Sequence, residues 1–96
     1  MNKSQLVEAL SQRIGLTYRK AEEVINLVFG LMTETLQRDE RIEVRGFGSF
    51  MVKQYGAYTG RNPKTGENIE VRPKKLPFFK VGKELKERVD YPRSRG

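Results

Sequence analysis

Apolar residues recur at helical spacing in the first third of the chain and alternate with polar residues further on. Between residues 6 and 36 they repeat every three or four positions, which predicts two amphipathic helices. Asn2 is suited to cap the first helix, because Gln5 stands three residues later and can complete a capping box. Gly15 is a good residue to end this helix, and Thr17 can cap the second.

The second predicted helix is apolar around most of its circumference. Its main apolar stripe consists of Ala21, Val24, Ile25, Val28, Met32 and Leu36. Leu27 and Leu31 widen the stripe, and Phe29 adds a bulky aromatic side chain. A helix of this kind is normally buried on several sides, which a small domain with two short helices and a small sheet cannot provide. The pattern therefore favours a dimer over a loosely packed monomer.

The middle of the chain carries strand and turn patterns. Strict alternation at 41–45 predicts a half-buried strand, and the glycines of 46–50 allow a tight turn or bulge. Segments 51–55 and 67–72 also alternate, and between them lies a Gly/Asn/Pro stretch with two cations, 60–66. This arrangement predicts two strands joined by a protruding tip. From the tip residues alone, an ordinary surface turn is equally compatible.

The last third of the chain is basic and punctuated by proline. Residues 72–77 suit an edge strand, and at least one of Phe78 and Phe79 is expected in the core. Residues 81–89 predict a short amphipathic helix, with Leu85 and Val89 on one face, followed by a tail.

The net charge of +7 is concentrated in the second half of the 96-residue chain, which has the length of one domain. Residues 1–52 hold seven Lys/Arg and seven Asp/Glu, whereas residues 53–96 hold twelve and five. This asymmetry indicates a polyanionic partner, although a merely solubilising surface is the alternative.

Several function classes are disfavoured by what the sequence lacks. It contains no Cys and no His, so disulfides, thiolate metal sites and the commonest general base are excluded. We expect no cofactor, no metal, no membrane span, no small-molecule substrate and no enzymatic activity, and a cytoplasmic location. An RNA-binding or ribosome-associated protein remains the alternative to a DNA-binding one, although no clear stacking platform for single-stranded bases is evident beyond Tyr55 and Tyr58.

Three motifs in order, at 46–50 (GFGSF), 59–66 (TGRNPKTG) and 79–85 (FKVGKEL), together resemble the HU/integration host factor family of bacterial nucleoid proteins. The resemblance extends from residue 1 to about residue 90. Segment 41–47 is more similar to the integration host factor beta type, since HU proteins usually carry proline where Arg45 stands.

The resemblance implies an α+β fold and an intertwined dimer that bends DNA and compacts the nucleoid. The implied single domain comprises a helical dimerisation base (1–37), a sheet (41–81) with an arm at about 53–73, a C-terminal helix (82–90) and a tail (91–96). The arms would enter the minor groove of duplex DNA, where Pro63 intercalates. The partner subunit would be a second copy or a paralogous chain. The expected dimer core includes Phe29, Phe47, Phe50 and Phe79.

The same resemblance supplies the candidate DNA-binding residues. Arg61 and Asn62 match groove-lining positions beside Pro63, and Lys64 follows them as a further DNA-binding candidate. The others lie on or near phosphate-contacting surfaces: Lys3, Arg45, Lys53, Arg72, Lys74, Lys75, Lys80, Lys83 and Lys86. Tyr55 and Tyr58 stand where many relatives carry arginines, so the arm gives up charge there but keeps flat amphipathic side chains.

Overall fold

A computed structural model of the chain describes residues 1–91. Its elements, in chain order, are α1 (Lys3–Ile14), α2 (Tyr18–Gln37), β1 (Ile42–Val44), β2 (Gly48–Tyr55), β3 (Tyr58–Arg61), β4 (Asn68–Val71), β5 (Lys74–Val81) and α3 (Lys83–Val89). Helices combined with small antiparallel sheets confirm the predicted α+β class. The predicted tail beyond Tyr91 lies outside the described residues, as does the side chain of Tyr58.

The ends of the first two helices follow the predicted signals. The Oδ1 atom of Asn2 accepts a hydrogen bond from the Gln5 backbone N–H, and the Gln5 Oε1 accepts one from the Asn2 N–H, each at 2.9 Å. Gly15 ends α1 in the left-handed region, with φ of 66°. The Thr17 hydroxyl accepts a hydrogen bond from the Lys20 N–H at 3.2 Å and begins α2. These local signals were sufficient to predict the helix ends, because each cap satisfies a backbone N–H or C=O group that has no partner within the helix.

Only a small core forms between α1 and α2. Val7, Ala21 and Ile25 are buried, and Leu6, Leu10 and Leu16 pack against them. Other apolar side chains of α2 stay open to solvent, and Leu27, Phe29 and Leu31 are 62%, 49% and 54% exposed. The chain exposes 8635 Å², against about 5,700 Å² for a compact protein of its mass. Its apolar residues therefore exceed what one copy can bury.

A three-stranded antiparallel sheet, the body sheet, is ordered β1-β2-β5. Phe50 lies opposite Phe79 in the register, and their ring centroids are 4.7 Å apart. Phe47 also packs on Phe79, at 5.6 Å. Gly48 is required beneath this cluster, because a Cβ there would lie 2.6 Å from the Phe79 ring and from the Lys80 carbonyl oxygen. The body sheet is therefore organised around Phe79.

The connector from α2 to the body sheet is held by ion pairs. Asp39, with a φ of 61°, accepts from the Lys75 ammonium at 3.0 Å, which ties the connector to β5. Arg38 donates to Glu40 at 2.7 Å, and this hydrogen bond, with the Glu40 charge, raises the pKa of the Arg38 guanidinium. Both pairs are exposed, so we assign them little stability.

A second sheet consists of β3 and β4 alone and forms the arm, residues 58–71. The ladder of the body sheet ends at the pair Tyr55–Lys74, and the arm ladder starts at Tyr58–Val71. Residues 56–57 and 72–73 form a joint between the two ladders. The strand predicted at 51–55 is confirmed, but it does not pair with 67–72. That segment belongs to β2 and pairs with β5, because Gly56 and Pro73 interrupt the pairing.

The arm projects from the rest of the molecule. Its described residues are exposed, apart from the half-buried Gly60, Asn62 and Val71. The radius of gyration is 19.6 Å, whereas a compact chain of this length has about 12 Å. Of the helices within residues 1–91, none has the length and apolar character needed to cross a bilayer.

Candidate nucleic-acid interface

The tip of the arm is a tight loop with Pro63 at its apex. The Asn62 carbonyl oxygen accepts a hydrogen bond from the Gly66 N–H at 2.7 Å, and the Asn62 N–H donates to the Glu67 carbonyl at 2.8 Å. The Oδ1 atom of Asn62 accepts from the Lys64 N–H at 2.9 Å, as in an Asx turn. Gly66 closes the loop with a φ of 75°.

Each tip residue suits its place in this loop. Pro63 fits the position after the turn's first residue, because its fixed φ suits that position and no backbone donor is lost. Its ring is exposed, beside the cations of Arg61 and Lys64. Asn62 is half-buried, and its side-chain oxygen is occupied by the loop, so its amide N–H₂ is the part that remains for a ligand.

One face of the body sheet, the outer face, combines cations with aromatic rings. Side chains alternate along a strand, so the register places Lys53 and Tyr55 of β2 on the same face as Lys74, Phe78 and Lys80 of β5. The Lys53 ammonium lies 3.6 Å from the centroid of the Phe78 ring. The Lys74 ammonium lies over the Tyr55 ring at 6.0 Å. Phe78 and Phe79 are both partly exposed in one copy, at 39% and 38%, but they lie on opposite faces. Phe79 packs against Phe47 and Phe50 on the inner face, and Phe78 lies on the outer face.

Lys75 is separated from the other predicted cations of the sheet. It lies on the inner face, which is turned towards α2 and includes Phe50 and Phe79. Its ammonium is paired with Asp39 at 3.0 Å. The pair is exposed and an ammonium has three donors, so Asp39 offsets part of the Lys75 charge without occupying all of its donors.

The turn between β1 and β2 and the start of α3 form a second group of candidates. The Phe47 N–H donates to the Val44 carbonyl at 2.9 Å, with Gly46 in the left-handed region. The Gly82 N–H donates to the Phe47 carbonyl at 2.9 Å and the Leu85 N–H to the Gly46 carbonyl at 3.0 Å. These bonds fix α3 to the turn, so that Arg45 lies near the α3 segment that carries Lys83 and Lys86.

One cation of this group was missed by the sequence analysis. Arg88 lines the same surface cleft as Arg45 and Glu84. Its spacing from Glu84, four residues along one helix, is the signal that indicates a shared face. An exposed arginine near a predicted phosphate surface is a further candidate contact.

The remaining predicted residues lie apart from these groups. Lys3 is in the first turn of α1 and lines a cleft with Leu6, Asn26 and Phe29. Arg72 is in the joint, between β4 and β5. The backbone of Tyr58 pairs with that of Val71. Within residues 1–91, no group of three His, Cys, Asp or Glu side chains is placed to hold a metal ion.

The chain matches known proteins over nearly its whole length. The family model described as "Bacterial DNA-binding protein" matches residues 1–90. The integration host factor subunit beta of Colwellia psychrerythraea is 46% identical over 91 residues, covering 94% of this chain and 96% of the relative. That of Shewanella amazonensis is 47% identical with the same coverage.

Solved structures give the same result. The Anabaena HU–DNA cocrystal structure matches with a TM-score of 0.84 and 34% identity, covering 96% of this chain and 100% of that one. HU from Thermotoga maritima matches with a TM-score of 0.67 and 27% identity, covering 94% and 100%. With an α+β fold, a projecting basic arm and this family match, the chain belongs to the HU/integration host factor family of architectural DNA-binding proteins, which are not enzymes.

Proposed function

We propose that the protein acts as a dimer that bends duplex DNA, with each arm in the minor groove and Pro63 inserted between base pairs. The observation that carries the proposal is the exposed Pro63 ring at the apex of a projecting arm. Its loop is held by three hydrogen bonds of Asn62. Anabaena HU, whose fold this chain resembles, was crystallised with DNA. Proteins of this family insert apolar side chains between base pairs from the minor groove, and we propose the same mode for Pro63.

The chemistry of proline suits a wedge. Its ring is rigid and apolar, it has no backbone donor to bury, and little conformational entropy is lost when it is fixed. Unstacking a base step costs a few kcal/mol, which contacts along the flanking DNA offset when the bent duplex wraps the protein. The cations of the outer face and of α3 are suited to those contacts.

A dimer is supported by the surface that one copy leaves uncovered. The exposed side chains of α2 and the cleft beside Phe29 are apolar, and a second subunit would bury them. The expected dimer core of Phe29, Phe47, Phe50 and Phe79 is part of this proposal. The partner is either a second copy or a paralogous subunit, and the oligomeric state of the chain purified alone distinguishes these two.

Binding energy in this proposal comes mainly from phosphate neutralisation. Log K should fall with log salt by about 0.9 for each phosphate contacted. Base identity enters through the deformability of the duplex rather than through base-edge contacts, so random sequences should bind with similar affinity. The proposed place of action is the bacterial nucleoid, within the cytoplasm, where the protein would compact DNA and assist DNA transactions.

The test compares Pro63→Ala with Arg61→Ala. Bending is measured by end-to-end fluorescence transfer on a labelled duplex, with affinities for straight and nicked DNA at several salt concentrations. Pro63→Ala should reduce bending of straight DNA more than it reduces affinity for nicked DNA, where part of the unstacking cost is absent. Arg61→Ala should weaken binding to all duplexes and lower the salt slope.

Two results would contradict the proposal. If Pro63→Ala bends straight DNA as fully as the parent at saturation, Pro63 is only a turn residue. If an RNA duplex competes as well as a DNA duplex of the same sequence, the minor-groove assignment fails, because the A-form minor groove is wide and shallow and offers no narrow groove for the arm.

A further inference from the structure

Lys53 and Lys75 of the body sheet each make a close contact, but with partners of different chemistry. The Lys75 ammonium is 3.0 Å from the Asp39 carboxylate, a partner of opposite charge that offsets part of its field. The Lys53 ammonium instead lies 3.6 Å from the centroid of the Phe78 ring. Among the described residues, no carboxylate lies within 4.0 Å of it. An aromatic face attracts a cation through its quadrupole but leaves the charge uncompensated.

The register explains why these two side chains meet. Lys53 is directly opposite Leu76, and Phe78 is opposite Met51, so Lys53 and Phe78 are diagonal neighbours on the outer face. Long side chains reach across such a diagonal. Phe78 is 39% exposed and makes no part of the Phe47–Phe50–Phe79 cluster, so its ring is available to the lysine.

We propose that Phe78 is a positioning residue of the DNA interface, which holds the Lys53 ammonium in place for a backbone phosphate without neutralising it. A free lysine side chain loses much rotamer freedom when it is fixed on a phosphate. Contact with the ring removes part of that freedom before DNA arrives. The ammonium carries three N–H donors, so one side can face the ring while the other faces a phosphate oxygen. This inference rests on the proposed function, since it requires DNA on the outer face.

The experiment is a double-mutant cycle measured as affinity for a straight random-sequence duplex across a series of salt concentrations. Phe78→Leu, which keeps an apolar side chain but removes the ring, should weaken binding about three-fold at every salt concentration. Its salt slope should stay that of the parent, because the charge is still present. Lys53→Met should make the fall of log K with log salt shallower by about 0.9, because one phosphate contact is lost. In the Lys53→Met background, Phe78→Leu should have no further effect.

Phe78→Tyr is the matched control, because it keeps the ring and should bind as the parent does. A second control uses the looser pair, in which the Lys74 ammonium is 6.0 Å from the Tyr55 ring. Tyr55→Leu should therefore couple more weakly to Lys74→Met than Phe78→Leu couples to Lys53→Met.

Proton NMR gives a readout independent of DNA. The ε-methylene protons of Lys53 should be shifted upfield by the ring current in the parent and in Phe78→Tyr, but not in Phe78→Leu.

Three results would overturn the inference. The first is an unchanged affinity in Phe78→Leu. The second is an equal loss of affinity with and without Lys53, which would mean that the ring acts alone or through the fold. The third is a steep salt slope that Lys53→Met leaves unchanged, which would place Lys53 outside the interface although the protein still binds DNA. An affinity of the parent that does not change with salt would contradict the proposed function itself. The three results above would instead contradict only the role of Phe78.

Discussion

The helical base and the arm both lack the contacts that normally hold a domain together, but they lack them in opposite ways. The base has apolar side chains in excess of what it can bury, such as the exposed Leu27, Phe29 and Leu31. The arm has complete strand pairing and a well-bonded tip but almost no apolar side chains beneath it. In our proposal, each region is completed by a different partner, the base by a second subunit and the arm by DNA.

This difference has a thermodynamic consequence. Changes in the base should alter folding, because a dimer's stability includes the apolar surface covered between its subunits. Changes in the arm should leave folding almost untouched and alter DNA binding or bending. The following substitutions separate the two regions on that criterion.

Phe29→Glu should have the largest effect, because it places a charge on the apolar surface that we assign to the partner subunit. An uncompensated charge in such an interface costs about 3 kcal/mol or more. We expect loss of the folded dimer at micromolar concentration, measured by sedimentation and by the concentration dependence of the unfolding midpoint. Glu34→Gln, a charge change at an exposed position of the same helix, should leave both unchanged. A folded monomeric parent would contradict the dimer.

Gly48→Ala should come next, with a loss of about 2 kcal/mol in the free energy of unfolding. The added Cβ would lie 2.6 Å from the Phe79 ring and from the Lys80 carbonyl oxygen, so the centre of the body sheet must shift. Gly56→Ala in the joint is the control, since a Cβ there meets nothing within 4 Å. Urea denaturation at equal protein concentration measures both. Equal losses would mean that Phe79 does not organise the sheet.

Asn62→Ala should leave global stability unchanged and weaken the bending of DNA. It removes the hydrogen bond from the Lys64 N–H to Oδ1, which contributes about 1 kcal/mol to holding the tip loop. The expected result is a lower fluorescence transfer at subsaturating protein, with an unfolding curve that matches the parent. Asn68→Ala, in the arm but outside the tip loop, should bend DNA normally. A lowered unfolding midpoint for Asn62→Ala would show that the arm is coupled to the base.

Tyr55→Arg should give the smallest change, a salt slope steeper by about 0.9, as one added phosphate contact requires. Tyr55 lies on the outer face, where the proposal places DNA. Gln54→Arg adds the same charge one residue earlier, on the inner face, and should leave the slope nearly unchanged. The comparison of the two variants therefore tests which face of the sheet meets the duplex. Equal slopes would refute the assignment.

Local features of the fold could be predicted from the sequence, and pairings could not. The caps at Asn2, Gly15 and Thr17 were found because each depends on residues within a few positions of one another. The alternation at 51–55 indicated a strand but not its partner, β5, whose paired residues lie 19 to 27 positions away. Periodicity does not report on pairing, so the joint at 56–57 and 72–73 was missed, although Gly56 and Pro73 were its signals.

The candidate site shows the same limit. The basic tip around Pro63 was evident because its turn chemistry is local, and the loop bonds of Asn62 agree with it. The division of cations between the two sheet faces was not evident, since it depends on the register that separates Lys75 from Lys53 and Lys74. The proposed role of Phe78 depends on the same register, because a shift of one residue would place Phe78 on the inner face instead of Phe79.

The joint between the two ladders also has a consequence for how the arm can change in evolution or by design. The pairing stops at Tyr55–Lys74 and starts again at Tyr58–Val71, with two residues on each side of the joint, so the arm ladder keeps the register of the body sheet. Residues inserted in matched pairs beyond the joint would lengthen the arm and leave the phenylalanine cluster in place. We therefore expect that such an insertion would change the reach of the arm into DNA while the body sheet keeps its packing.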